Sequence, residues 1–209
     1  MANNIIKDKS SSALGIGIIA LVSVSIQLYL MIENSLVSLP ETIIRFFSFF
    51  TILTNLMVGV YFTAHYFSKN KIKLVIQKPE VLTAITVYIT IVGLVYQIAL
   101  RQVWEPKGLQ KIIDELLHSI IPVLVIVYWY FYKNKNALHY KSAIQWLIYP
   151  LVYLVYILVR GSFSNFYPYP FVNVTTLGFE KVMVNSAILV LVFLFVALLF
   201  VKMGRVINK

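Results

Sequence analysis

Residues 182–201 read VMVNSAILVLVFLFVALLFV, an uninterrupted apolar run in which only Asn185 and Ser186 are polar. Crossing the roughly 30 Å of hydrocarbon in a bilayer takes about 20 such residues in a helix. The run is therefore read as a membrane span. Working back along the chain, five more stretches qualify, at about 13–32, 43–67, 81–100, 112–132 and 142–160. The composition agrees, because 60% of the 209 residues are hydrophobic, only 12% are charged and the mean hydropathy is +0.83. A soluble domain has about a quarter of its residues charged. The expected fold is all-α, a bundle of six transmembrane helices forming a single integral membrane domain over residues 1–209.

Charge sets the expected orientation. The first span follows Lys7 and Lys9, but its apolar stretch is too long for a signal peptide and no small-residue cleavage site follows it, so it reads as an uncleaved anchor. One set of ends carries Lys7, Lys9, Lys69, Lys71, Lys73, Lys78, Lys133, Lys135, Lys141, Lys202, Arg205 and Lys209. The opposite set carries Arg45, Arg101, Lys107, Lys111, Arg160 and Lys181, balanced by six acids. The whole net charge of +10 thus falls on one side. By the positive-inside rule both termini are expected in the cytoplasm. The basic loops read as orientation signals and contacts to anionic lipid, not to nucleic acid. With no cysteine in the chain, disulfides, thiolate metal sites and cysteine nucleophiles are excluded.

Polar residues inside a membrane are costly and therefore informative. If the second span is one helix entered near residue 43, Thr51 lies roughly 12 Å down, and His118 lies roughly 10 Å down the fourth span, at about 1.5 Å per residue. The two depths match. Ser48, Thr51 and Asn55 then share one helix face. Gln97 and Arg101 form an i, i+4 pair, Asp114 and Glu115 precede His118 by four and three residues, Arg160 closes the fifth span and Asn185 opens the sixth. This distribution predicts a polar pocket towards the outer face. Pro122 cannot donate to the His118 carbonyl and should kink the helix there. His65 and His139 read as solvated residues, and no haem, metal or other cofactor is expected from these spacings.

His118 has two readings, a general base in the pocket or a histidine that joins helices by a hydrogen bond. Thr51 likewise is either a hydroxyl bonded back to its own helix or a nucleophile, which requires a base within reach. No nucleophile elbow, H-E-x-x-H or P-loop is present.

The segments Phe49-Phe50-Thr51-Ile52-Leu53-Thr54-Asn55-Leu56, His118-Ser119-Ile120-Ile121-Pro122, Arg160-Gly161 and Tyr167-Pro168-Tyr169-Pro170-Phe171, in that order on six spans, resemble the androgen-induced protein and androgen-dependent TFPI-regulating protein family, in its bacterial branch. The resemblance implies an intramembrane hydrolase of esters between fatty acids and hydroxy fatty acids, in a bacterial cell membrane. It maps the nucleophile onto Thr51 and the base onto His118. Thr54, directly before Asn55, is a second hydroxyl, and the Thr51-to-Asn55 spacing differs by one residue from the animal pattern. Asp114 or Glu115 would orient the histidine, with Asn55, Arg101, Arg160 and Tyr169 as candidate oxyanion donors. The alternative is a non-enzymatic protein that binds or transports a lipid or small amphiphile.

Overall fold

The computed structural model describes residues 2–67, 76, 78–131, 135 and 138–207, with side chains from residue 11 onward. Lys69, Lys71, Lys73, Lys133, Lys209 and the side chains of Lys7 and Lys9, all part of the charge bias, lie outside the described residues. Within these residues the chain is helical and has no strand. The helices are α1 (Ala2–Glu33), α2 (Leu39–Phe46), α3 (Phe50–Phe67) and α4 (Pro79–Val95), the last continued by a π turn (Tyr96–Leu100). Then come α5 (Gly108–Glu115), a second π turn (Leu116–Ile120), α6 (Ile121–Phe131), α7 (Tyr140–Gln145), α8 (Ile148–Ser164), a 3-10 turn (Pro170–Val172), α9 (Val174–Leu177) and α10 (Phe179–Ile207). Five stretches, Ser11–Glu33, Pro79–Leu100, Gly108–Phe131, Tyr140–Ser164 and Phe179–Ile207, are each long and apolar enough to cross a membrane, and the α2–α3 pair makes a sixth crossing if counted as one span. The chain is an integral membrane protein with an all-α polytopic bundle.

The second span departs from the expected single helix over 43–67. It breaks between Phe46 and Phe50, and α2 and α3 meet at 72°. The cause lies in distant tyrosines. In a continuous helix the Thr51 N–H would donate to Phe47 and the Ser48 carbonyl would accept from Ile52. Here Thr51 N–H donates to the Tyr169 hydroxyl at 3.2 Å, and the Ser48 carbonyl accepts from the Tyr153 hydroxyl at 2.8 Å. These two groups orphaned by the break are thereby satisfied. Ser48 consequently leaves the face shared by Thr51 and Asn55, and its hydroxyl donates to Ile44 O at 2.7 Å. On α2, Thr42 and Phe46 are buried while Leu39, Ile43 and Ile44 are exposed, as suits a helix lying along an interface.

Around this break the bundle is built on two kinds of contact. The first is the close α1–α3 packing, where a Cβ on Gly17 would stand 2.9 Å from the Thr63 backbone nitrogen. Only a residue without a side chain lets the backbones approach that far. The second is α4, the most buried span, which packs against α3, α6 and α10. By contrast α8 is peripheral and exposes most of its surface. It is held by tyrosines one helical turn apart: Tyr149 against Thr54, Tyr153 on the Ser48 carbonyl and Tyr156 against the Ser48 hydroxyl.

Two sequence readings outside this region change. Lys135, read with the basic loops as an orientation signal and lipid contact, is buried, with its ammonium 4.9 Å from the centre of the Trp129 ring and donating to Tyr130 O at 2.7 Å. The aromatic face and the carbonyl replace the water lost by the cation. His65, read as solvated, packs against Tyr61 and lies 3.5 Å from the Tyr128 hydroxyl. His139 is exposed, as expected.

Candidate functional site

The break in the second span places Thr51 in the first turn of α3, not partway down a straight helix. The depth reckoned for a continuous helix no longer applies. Thr51 is buried, and its hydroxyl lies 3.4 Å from the Tyr169 hydroxyl. Tyr169 is set in the 165–178 loop and stacks on Phe171, their rings 5.2 Å apart and nearly parallel. Burial pushes the Tyr169 phenol above its ordinary range, so it stays protonated and keeps a proton to donate. The position at the start of a helix adds the positive end of the α3 dipole to the surroundings of Thr51.

Thr51 and Tyr169 line a cavity of about 80 Å³ behind α8. The remaining wall is almost wholly apolar and includes Val92 of α4, Leu154 and Ile157 of α8, and Phe193 of α10. Ser186 is a further hydroxyl on this wall that the sequence reading did not single out, and it bonds back to Val182 O. Thr54 is not among the lining residues; its hydroxyl is paired with Tyr149 at 3.3 Å. Of the two threonines, Thr51 is the one presented to the cavity.

Asn55 links this region to His118. Its amide nitrogen donates to Thr51 O at 2.9 Å and to Leu117 O at 3.2 Å. One nitrogen sharing two carbonyls fixes the Thr51 turn and the His118 turn at one level of the bundle. The side chains themselves are bonded elsewhere. His118 Nδ1 is 2.9 Å from Asp114 O and 3.3 Å from Asp114 Oδ1, and its ring stacks on Tyr96 with centroids 4.3 Å apart. No hydrogen bond joins His118 to Thr51, and His118 is not among the residues lining the cavity. Tyr96, next to Gln97 in sequence, is a partner that the sequence reading missed.

Pro122 acts differently from a simple kink. The helix winds into the π turn Leu116–Ile120 just before it, and the N–H of Ile121 donates to Leu116 O. The His118 carbonyl then faces Gly93, where a Cβ would stand 3.2 Å from it. The π turn Tyr96–Leu100 lies opposite on the third span. Such turns are frequent at functional sites because they redirect side chains within a helix.

The remaining predicted supports are engaged away from Thr51. Glu115 pairs with Arg101 and accepts from Ser119 at 2.7 Å, so Asp114 is the carboxylate at His118. Arg101 also donates to Gln97 at 2.7 Å, and Gln97 donates to Ser119 at 2.9 Å, closing a latch between the third and fourth spans. Arg160 donates to Glu41 at 2.9 Å. Asn185 donates to Phe171 O at 2.9 Å and so anchors the loop. Neither arginine is placed as an oxyanion donor, whereas Tyr169 contacts Thr51 directly.

Two measurements probe this arrangement. Arg101→Ala should lower stability by no more than about 1 kcal/mol, because the pair is partly exposed to solvent; thermal unfolding in detergent reads this. Tyr169→Phe leaves the buried Thr51 N–H without a partner and should cost about 1–3 kcal/mol in the same measurement.

No protein-family model matches the chain, and no curated protein or solved structure matches it.

Proposed function

We propose that the chain is an intramembrane lipid-ester hydrolase of the androgen-induced protein type, in a bacterial cell membrane with both termini in the cytoplasm and the cavity towards the outer face. The observation that supports this best is Thr51 lining an apolar cavity beside a neutral tyrosine at a helix N-terminus. An acyl chain fits such a wall, and an ester carbonyl brought to Thr51 would develop its negative charge next to the Tyr169 hydroxyl and the α3 dipole. In the proposed reaction His118 takes the proton from Thr51 Oγ1 as it attacks the carbonyl carbon. The alcohol leaves with that proton, and water then releases the acid from the acyl-threonine. This chemistry requires His118 to approach Thr51 from its place on Asp114 and Tyr96. Esters of hydroxy fatty acids are the substrates to try first.

A second reading is a non-catalytic amphiphile-binding protein. It is favoured by one specific feature, namely that Thr51 and His118 hydrogen-bond to different partners and not to each other. The two are separated by labelling purified protein with a fluorophosphonate probe. Labelling of the wild type that is lost in His118→Ala supports hydrolysis. Absent labelling with retained binding of a fatty acyl ester supports the second reading.

A further inference from the structure

At the 165–178 end of the bundle, two arginines share one carboxylate. Arg45 Nε donates to Glu41 Oε1 at 2.7 Å, and Arg160 Nη2 donates to the same oxygen at 2.9 Å. Both guanidinium groups also lie against the ring of Phe166, at 4.6 Å for Arg45 and 5.0 Å for Arg160. The cluster therefore carries two positive charges against one negative. Arg160 spends its other terminal nitrogen on longer contacts, 3.3 Å to Ser164 Oγ and 3.5 Å to Phe166 O. Among the described residues Arg45 makes no hydrogen bond through its two terminal nitrogens, and its side chain is 29% exposed.

This charge surplus is linked to the apolar cavity through a chain of aromatic rings. Phe166 meets Phe49 at 6.1 Å, Phe49 meets Tyr169 at 5.9 Å, and Tyr169 lines the cavity with Thr51. A planar fork of unpaired N–H donors at an interface suits a carboxylate or phosphate oxygen pair. We infer that Arg45 and Arg160 bind the anionic head of a single-chain amphiphile, a carboxylate or a phosphate monoester, whose tail occupies the cavity past Phe49. The inference rests on the proposed function only in taking an acyl chain as the cavity's occupant. Glu41 has two roles in it: it orients both guanidinium groups and repels the incoming head.

The test is binding by the full-length protein in zwitterionic nanodiscs, with oleate, lysophosphatidic acid, methyl oleate and inorganic phosphate as separate probes. Oleate, lysophosphatidic acid or both should bind at least about tenfold more tightly than methyl oleate, and the preference should weaken with salt. Inorganic phosphate should bind far more weakly than either anionic lipid, since it lacks a tail. Arg45→Gln should bring the anionic probes to the level of methyl oleate and leave methyl oleate unchanged. Arg45→Lys should restore part of the preference, and Glu41→Gln should strengthen anion binding. Equal binding of oleate and methyl oleate, or an unchanged preference in Arg45→Gln, overturns the inference. Phosphate binding as well as lysophosphatidic acid would overturn the part played by the cavity. Failure of probe labelling with this binding pattern intact would count against hydrolysis alone, and labelling with no anion preference would count against the arginine site alone.

Discussion

Thr51→Ala is expected to abolish turnover of a fatty acyl ester and covalent probe labelling, by at least about a thousandfold, the scale on which loss of a nucleophile is felt. The substitution removes the hydroxyl of Thr51, the only threonine lining the cavity among the described residues, but leaves the N–H at position 51 free to donate to Tyr169. The helix start should therefore persist. Thr54→Ala is the paired control, because Thr54 is fully buried and faces Tyr149. It should cost stability and leave most of the labelling. Steady-state hydrolysis and mass spectrometry of the labelled peptide decide the matter. A label carried on Thr54, or turnover retained in Thr51→Ala, would remove Thr51 from the proposed chemistry.

The largest structural effect is expected at Gly17. A Cβ there meets the Thr63 hydroxyl at 2.7 Å, Thr63 N at 2.9 Å and Gly59 O at 3.3 Å. Two of these atoms are backbone and cannot turn aside. Gly17→Val must therefore push α1 away from α3, with a cost of about 3 kcal/mol or more on the scale of overpacked cores. Because α3 begins at the cavity, loss of the pairing should also loosen Thr51. Gly15, where an added Cβ meets nothing within 4 Å, supplies the control, and Gly15→Val should leave stability within about 1 kcal/mol. Denaturation of the purified variants in detergent measures both.

How far the sequence discloses these features depends on how local their causes are. Spans such as 182–201 are legible because hydrophobic length acts over consecutive residues. The break at Phe47–Ser48–Phe49 contains no glycine or proline and has no local signal. It is stabilised by Tyr153 and Tyr169, which are more than a hundred positions away. Sequence spacing correctly pairs Asp114 with His118, since i, i+4 contact is a property of the helix itself. It leaves Glu115 as an equal candidate, because the partner of Glu115, Arg101, comes from another span. The stacking of Tyr96 on His118 is hidden for the same reason, as two facing π turns fix it.

With α2 and α3 meeting at 72°, the described part of α3, Phe50–Phe67, covers 18 residues or about 27 Å at the helical rise. That is slightly shorter than an average hydrocarbon slab of about 30 Å. Such hydrophobic mismatch is relieved when the bilayer thins beside the short element. The dimple would form around the first turn of α3, drawing the glycerol and carboxyl layer of nearby lipids down to the depth of Thr51. Bilayer thickness, set by acyl length in reconstituted vesicles, would then tune how closely lipid carbonyls approach Thr51.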